Sequence, residues 1–117
     1  MAFPAAPAIP TPPSPSGRRR PVRPGVGVEV HRAGQRGGPD LADGLVDLSA
    51  DGLGVRLEVQ MVPGEAVDVI LWPPGAASGI RRPGQVRWCR PSAGGRYLAG
   101  VRLAPPLTPA EVDALAR

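Results

Sequence analysis

The sequence predicts an all-β fold, a six-stranded antiparallel β-barrel closed by a short C-terminal α-helix. Three observations carry this. Apolar residues alternate with polar ones in short runs, turn signals separate the runs every 10–15 residues, and no stretch of helical period lies between them. Only the extreme C-terminus breaks the pattern. The chain has 117 residues, which suits one domain.

The elements follow in order. Residues 1–17 hold six of the 17 prolines and little that can form a core, so they read as a disordered Pro/Ala-rich tail ahead of a domain spanning 18–117. Val26, Val28 and Val30 alternate with Gly27 and Glu29 as a half-buried strand. Residues 33–39 then form a loop, and residues 41–48 a less regular strand interrupted by Gly44. Asp51–Gly52 signals a turn into Val55, Leu57 and Val59, and Pro63–Gly64 a turn into Val67, Val69 and Leu71. A Gly-rich loop is expected over 75–84. The strand at 85–90 is expected to bury Val86 and Trp88 on one face, with Arg87 and Cys89 opposite. Gly94–Gly95 leads into the last strand, 97–103, with Tyr97, Ala99, Val101 and Leu103 on one face. Thr108, Pro109 and Glu111 spell a capping box with proline at the first helical position.

Composition removes several classes of function. No run of 18 apolar residues predicts a membrane span, and the N-terminal stretch lacks the charge and apolar block of a signal peptide. One cysteine, Cys89, and one histidine, His31, supply neither a disulfide nor a metal cluster, so a reducing cytoplasm is the expected setting. The net charge of +4 is unevenly placed: +5 over 18–36, −6 over 40–68 and +6 over 81–102. All 14 basic residues are arginine, whose planar fork suits phosphate and guanine.

Two constellations carry chemistry. Arg18-Arg19-Arg20-Pro21-Val22-Arg23 contains R-x-x-x-R at Arg19 and Arg23, and its prolines keep it extended. Residues four apart in such a chain point the same way at about 13 Å. Asp47-Leu48-Ser49-Ala50-Asp51-Gly52 reads D-x-S-x-x-G at a strand end, with Asp47 and Ser49 on one face and Gly52 permitting a close approach. Taken singly, a solvated arginine cluster and an ordinary turn are adequate readings of each.

Their conjunction and order resemble the PilZ domain, a bacterial receptor for cyclic diguanylate (c-di-GMP). The resemblance covers 18–117 and includes D-L-S-x-x-G-L-G-V at 47–55, V-R-W at 86–88 and Y-L-A-G-V-R-L at 97–103. The chain departs in ending its last strand on Leu103, where phenylalanine is commoner, and in its Gly/Pro-rich loops. The resemblance implies a non-enzymatic receptor. Arg19 and Arg23 would bind phosphate and guanine edges, and Asp47 and Ser49 would line the opposite wall. Gly52 would keep that wall low. Arg18 would stack on a further guanine, so that an intercalated c-di-GMP dimer binds each chain. The Arg segment would order on binding and present a changed surface to a protein partner yet to be identified. No cofactor or metal is expected.

Three competitors remain at this stage. One is a PilZ-like interaction module that binds no nucleotide. Another is a small basic barrel for nucleic acid, disfavoured because no surface aromatics are interleaved with the arginines. The third is an enzyme built on Ser49, Asp47 and His31, which lacks a nucleophile elbow. His31, Trp72, Trp88 and Cys89 are expected to be structural, and most of the arginines of 81–102 to be solvated.

Overall fold

The computed structural model describes residues 18–35 and 38–117; the expected tail, 1–17, and part of the 33–39 loop lie outside the described residues. Seven strands form one antiparallel sheet: β1 (Arg20–Pro21), β2 (Gly27–Arg32), β3 (Ala42–Leu48), β4 (Gly52–Leu57), β5 (Ala66–Trp72), β6 (Ile80–Pro91) and β7 (Tyr97–Leu103). Their order is β1-β3-β4-β7-β6-β5-β2. Helix α1 (Pro109–Leu115) follows.

The all-β class with one terminal helix stands, with two corrections. The expected six strands are seven, because the Arg segment itself pairs with β3, Arg20 opposite Leu48 and Pro21 opposite Asp47. The sheet curls into a half-barrel rather than closing by a continuous ladder. At the seam between β2 and β3, Leu41 N–H donates to the Val30 carbonyl at 2.8 Å. One carboxylate oxygen of Asp40 accepts from the backbone N–H of both Val30 and Ala42, at 2.9 Å each. A side chain thus replaces part of a ladder.

Strand β6 is twice the expected length. Its first half pairs with β5, Ile80 opposite Leu71 through Gln85 opposite Ala66, and its second half pairs with β7. The glycines, Pro83 and paired arginines concealed this from periodicity. Arg82 faces α1 and bonds Glu111, so a charged residue occupies a position that the pattern reserves for an apolar one.

The core is aliphatic, as the scarcity of aromatics required. Val30, Leu48, Leu53, Val55, Leu57, Val67, Val69, Leu71, Val86, Ala99, Val101 and Leu103 fill the concave side. Leu107, Val112 and Leu115 pack on the same cluster from the C-terminal segment. Thr108 and Glu111 form the reciprocal capping box, with Glu111 N–H donating to Thr108 Oγ1 at 3.1 Å and Thr108 N–H to Glu111 Oε1 at 2.8 Å. A seven-residue helix is too short to persist alone. Its cap and its buried Val112 and Leu115 hold it on the barrel.

Candidate functional site

The β1–β3 pairing brings Arg19 to Asp47. Arg19 Nη1 lies 3.0 Å from Asp47 Oδ1, and the same oxygen accepts from Gly54 N–H at 3.1 Å. Both side chains are about 40% exposed (43% and 38%), so the pair is weak, of order 1 kcal/mol or less, and exchangeable. Arg18 is exposed and makes no hydrogen bond or ion pair among the described residues.

The other motif residues lie differently. Arg23 does not share a face with Arg19. Its Nε and Nη2 both donate to the Asp113 carbonyl, at 3.1 and 2.9 Å, and its backbone N–H donates to the Leu115 carbonyl at 2.9 Å. Arg20 reaches the same helix end, bonding Asp113 Oδ1 at 3.2 Å and the Arg117 carbonyl at 3.1 Å. The Arg23 guanidinium satisfies a carbonyl that the helix C-terminus leaves without a partner. The arm is therefore docked on two sides, with Arg117 N–H donating back to the Pro21 carbonyl at 2.8 Å. Ser49 is 2% exposed, with its Oγ donating to the Gly52 carbonyl at 3.4 Å. Gly52 is a close approach within the sheet: a Cβ there would lie 2.4 Å from the Val101 carbonyl oxygen.

Strand register extends the Asp47 corner into a row. Asp47 is opposite Gly54, Gly54 opposite Gly100, and Gly100 opposite Trp88. The two glycines form a floor that is itself buried, because the carboxylate and the indole lie down on it. Each is already overlain: a Cβ on Gly54 would meet Asp47 Oδ1 at 2.7 Å, and one on Gly100 would meet Trp88 Nε1 at 2.3 Å.

Trp88 is the principal correction to the sequence reading. It is 38% exposed and stands on the outer face, while Cys89 packs toward the core. A bulge between Val86 and Trp88 inserts Arg87 into β6, and one extra residue reverses every later side chain. Sequence reasoning missed Trp88, Gly54 and Gly100 as members of the face. The V-R-W and Y-L-A-G phrases contain Trp88 and Gly100, but only the bulge makes them neighbours of Asp47.

Arginines frame the row. Arg56 and Arg90 lie on either side of Leu98, and Arg102 lies one step beyond Gly100 along β7. All three are exposed, and none forms an ion pair among the described residues. The Arg90 guanidinium sits over the Trp88 ring, 5.1 Å from its centroid, a contact of about 0.5–1 kcal/mol when exposed.

On the other side of the barrel, β2, β5 and β6 form a recess of about 670 Å³ lined by Glu29, His31, Asp68 and Arg81 among others. Here the charges are largely engaged with one another. Glu29 accepts from Trp72 Nε1 at 3.0 Å and faces His31 Nε2 at 3.0 Å, and His31 Nδ1 faces the Gly38 carbonyl at 3.0 Å. With an acceptor at each ring nitrogen, the imidazolium is favoured. The Glu29 bond accordingly raises the His31 pKa above its ordinary value, and the His31 bond lowers that of Glu29. His31 and Ser49 are thus committed to separate partners, and the triad written from the sequence is not assembled. Among the described residues no cluster suits a metal ion, and no helix is long and apolar enough to cross a membrane.

The geometry defines a class of small antiparallel half-barrel with a C-terminal helix and an N-terminal arginine arm paired to one sheet edge. The model of the PilZ domain family matches residues 17–117, and the chain belongs to that family. Membership implies a module of the c-di-GMP-binding type. No curated protein and no solved structure matches the chain.

Proposed function

We propose that the chain is a non-enzymatic receptor for c-di-GMP, working in the bacterial cytoplasm and relaying occupancy to a protein partner. The observation that carries the reading is the exposed Arg19–Asp47 pair at the edge of the Gly54–Gly100 floor. A guanidinium matches O6 and N7 of guanine or a phosphate bidentately, and a carboxylate accepts from the N1 and N2 donors on the opposite edge. Because the two glycines let the Asp47 carboxylate and the Trp88 ring lie close to the sheet, a flat ligand would rest on those two groups.

Arg23 supplies the relay. For it to join Arg19 on the ligand it must leave the Asp113 carbonyl, and Arg20 is tied to the same helix end. Occupancy then trades an arm docked on α1 for an arm closed over the nucleotide, altering the surface formed by the two chain segments. The ligand's differential affinity for these two states drives the shift. Ser49 serves in the turn that aims Asp47, and Gly52 keeps β4 against β7. Arg18, exposed beside the motif, is placed to stack on a second guanine, giving two ligands per chain.

The test is calorimetric titration with c-di-GMP of the wild type and of the Arg19→Ala, Arg23→Ala double variant, with circular dichroism as a fold control. Saturable binding near two per chain, lost in the variant, is expected. One per chain would discard the role of Arg18. No binding by a folded wild type would favour the second reading, an interaction module without nucleotide, for which the committed state of Arg23 and the burial of Ser49 speak.

A further inference from the structure

The arginines beyond the two motifs have no work in that reading. Arg56, Arg90 and Arg102 are contributed by three strands and sit on the outer face around Trp88; Arg87 bulges beside them. All four are exposed and none has a carboxylate partner among the described residues, whereas Arg19, Arg20, Arg32, Arg82 and Arg96 all have one. Residues 81–102 contain no acid at all.

Nothing internal requires this arrangement. A half-exposed ring on a basic face, with one guanidinium already lying over it, suits a ligand that carries both flat bases and phosphates. Arg56 and Arg90 face each other across one strand, about 10 Å apart, and Arg102 continues the line past Gly100 toward a second shallow recess lined by Pro83, Gln85 and Ala104. The positive track is therefore longer than the Arg19–Asp47 corner. The sequence-based objection to nucleic acid was that no aromatic stands among the arginines, and the β6 bulge removes it.

We infer that the β4–β7–β6 face binds single-stranded nucleic acid, a base stacking on Trp88 in the place now taken by the Arg90 guanidinium, which moves with Arg56 and Arg102 onto the flanking phosphates. Stacking needs an unpaired base, so the face discriminates against duplex. This goes beyond the receptor reading and uses residues outside both motifs.

The experiment is fluorescence anisotropy of a labelled eight-nucleotide oligothymidylate with the full chain, against a duplex of equal length. Three phosphate contacts predict that affinity falls about 20-fold between roughly 50 and 200 mM salt. Trp88→Ala should weaken binding about fivefold or more. The Arg56→Ala, Arg90→Ala, Arg102→Ala triple variant, all surface changes, should abolish most of the salt dependence. Arg19→Ala should leave oligonucleotide binding within about twofold while lowering c-di-GMP affinity, which separates the two sites. Failure of the folded protein to bind at the low salt, equal affinity for duplex, or indifference to both Trp88→Ala and the triple variant would each overturn the inference. Trp88 also borders the proposed nucleotide site, so c-di-GMP is titrated separately in the same variants: its loss in Arg19→Ala tests the receptor reading, and oligonucleotide binding in that variant tests this one.

Discussion

The two outer faces of the half-barrel use charge in opposite ways. On the β2–β5 side, Glu29 is shared between His31 and Trp72, Arg32 is bonded to Glu65, and Asp40 ties β2 to β3. Of these, Asp40 stands in for the missing ladder at the β2–β3 seam, and the others fasten the side chains of β2 and β5. On the β3–β4–β7–β6 side, two exposed ion pairs, Arg19–Asp47 and Arg96–Asp43, stand at the edges, and Arg56, Arg87, Arg90 and Arg102 have no carboxylate partner among the described residues. Charges that satisfy each other build structure, and charges left unsatisfied on a flat surface are available to an anion. The contrast locates the working face without reference to any motif.

Substitution can break the contrast at several depths. Gly52→Ala should have the largest effect, because its Cβ would meet a backbone oxygen of β7 that cannot move alone. We expect a loss of about 3 kcal/mol, read by urea denaturation. Arg19→Ala should leave the melting temperature nearly unchanged, since an exposed pair contributes little. It should nevertheless lower c-di-GMP affinity roughly 10- to 150-fold, the worth of one charged hydrogen-bonding group. Gly54→Ala lies between the two: its Cβ would press on the movable carboxylate of Asp47 rather than on backbone. Stability should change by less than about 1 kcal/mol, with affinity falling about tenfold as Asp47 is displaced.

The smallest effect sharpens the other face. His31 is raised from 6.5 chiefly by its bond to Glu29, so the folded state binds the proton more tightly than the unfolded. That contribution is complete below pH 6.5 and is lost as pH rises through the higher folded value. Glu29 is lowered from 4.5 chiefly by the same bond, and its contribution is lost as pH falls through the depressed value. The melting temperature should therefore be highest between about pH 4.5 and 6.5 as far as this pair governs it. His31→Gln should remove the decline on the alkaline side; an unchanged pH profile in that variant would assign the decline to other groups.

Much of this was legible in the sequence, for identifiable reasons. Strand β7 was read at its observed bounds and helix α1 at its observed start because period-2 alternation and a capping box are local signals. The resemblance set Arg19 and Asp47 on opposite walls of a ligand, whereas the pairing of β1 with β3 brings them into direct contact. What was hidden depends on distant partners. Strand β1 exists only because residues 26 or more positions away pair with it, and Arg23 finds the Asp113 carbonyl 90 residues on. Trp88 was assigned to the core because alternation from Val86 demands it. A single bulged residue inverts that result, and no property of Arg87 announces the bulge. Ser49 looked available as a polar residue at a strand end, yet its hydroxyl is spent on the turn that carries Gly52.

The pairing of the arm with the C-terminal segment has a topological consequence. Val22 bridges Ala116, and bonds run both ways, from Arg23 N–H to Leu115 and from Arg117 N–H to Pro21. The described chain is thereby tied into a ring whose clasp lies beside the ligand-facing corner. A circular permutant that joins residue 117 to residue 18 through a short flexible linker, opened instead in the Pro73–Gly75 turn, should fold with the clasp made permanent. Such a molecule would keep the Arg19–Asp47 corner but lose the freedom of the arm to swing. Under the proposed relay, nucleotide would then bind without opening the clasp, and any attached domain would feel no change in the direction from which the ring pulls.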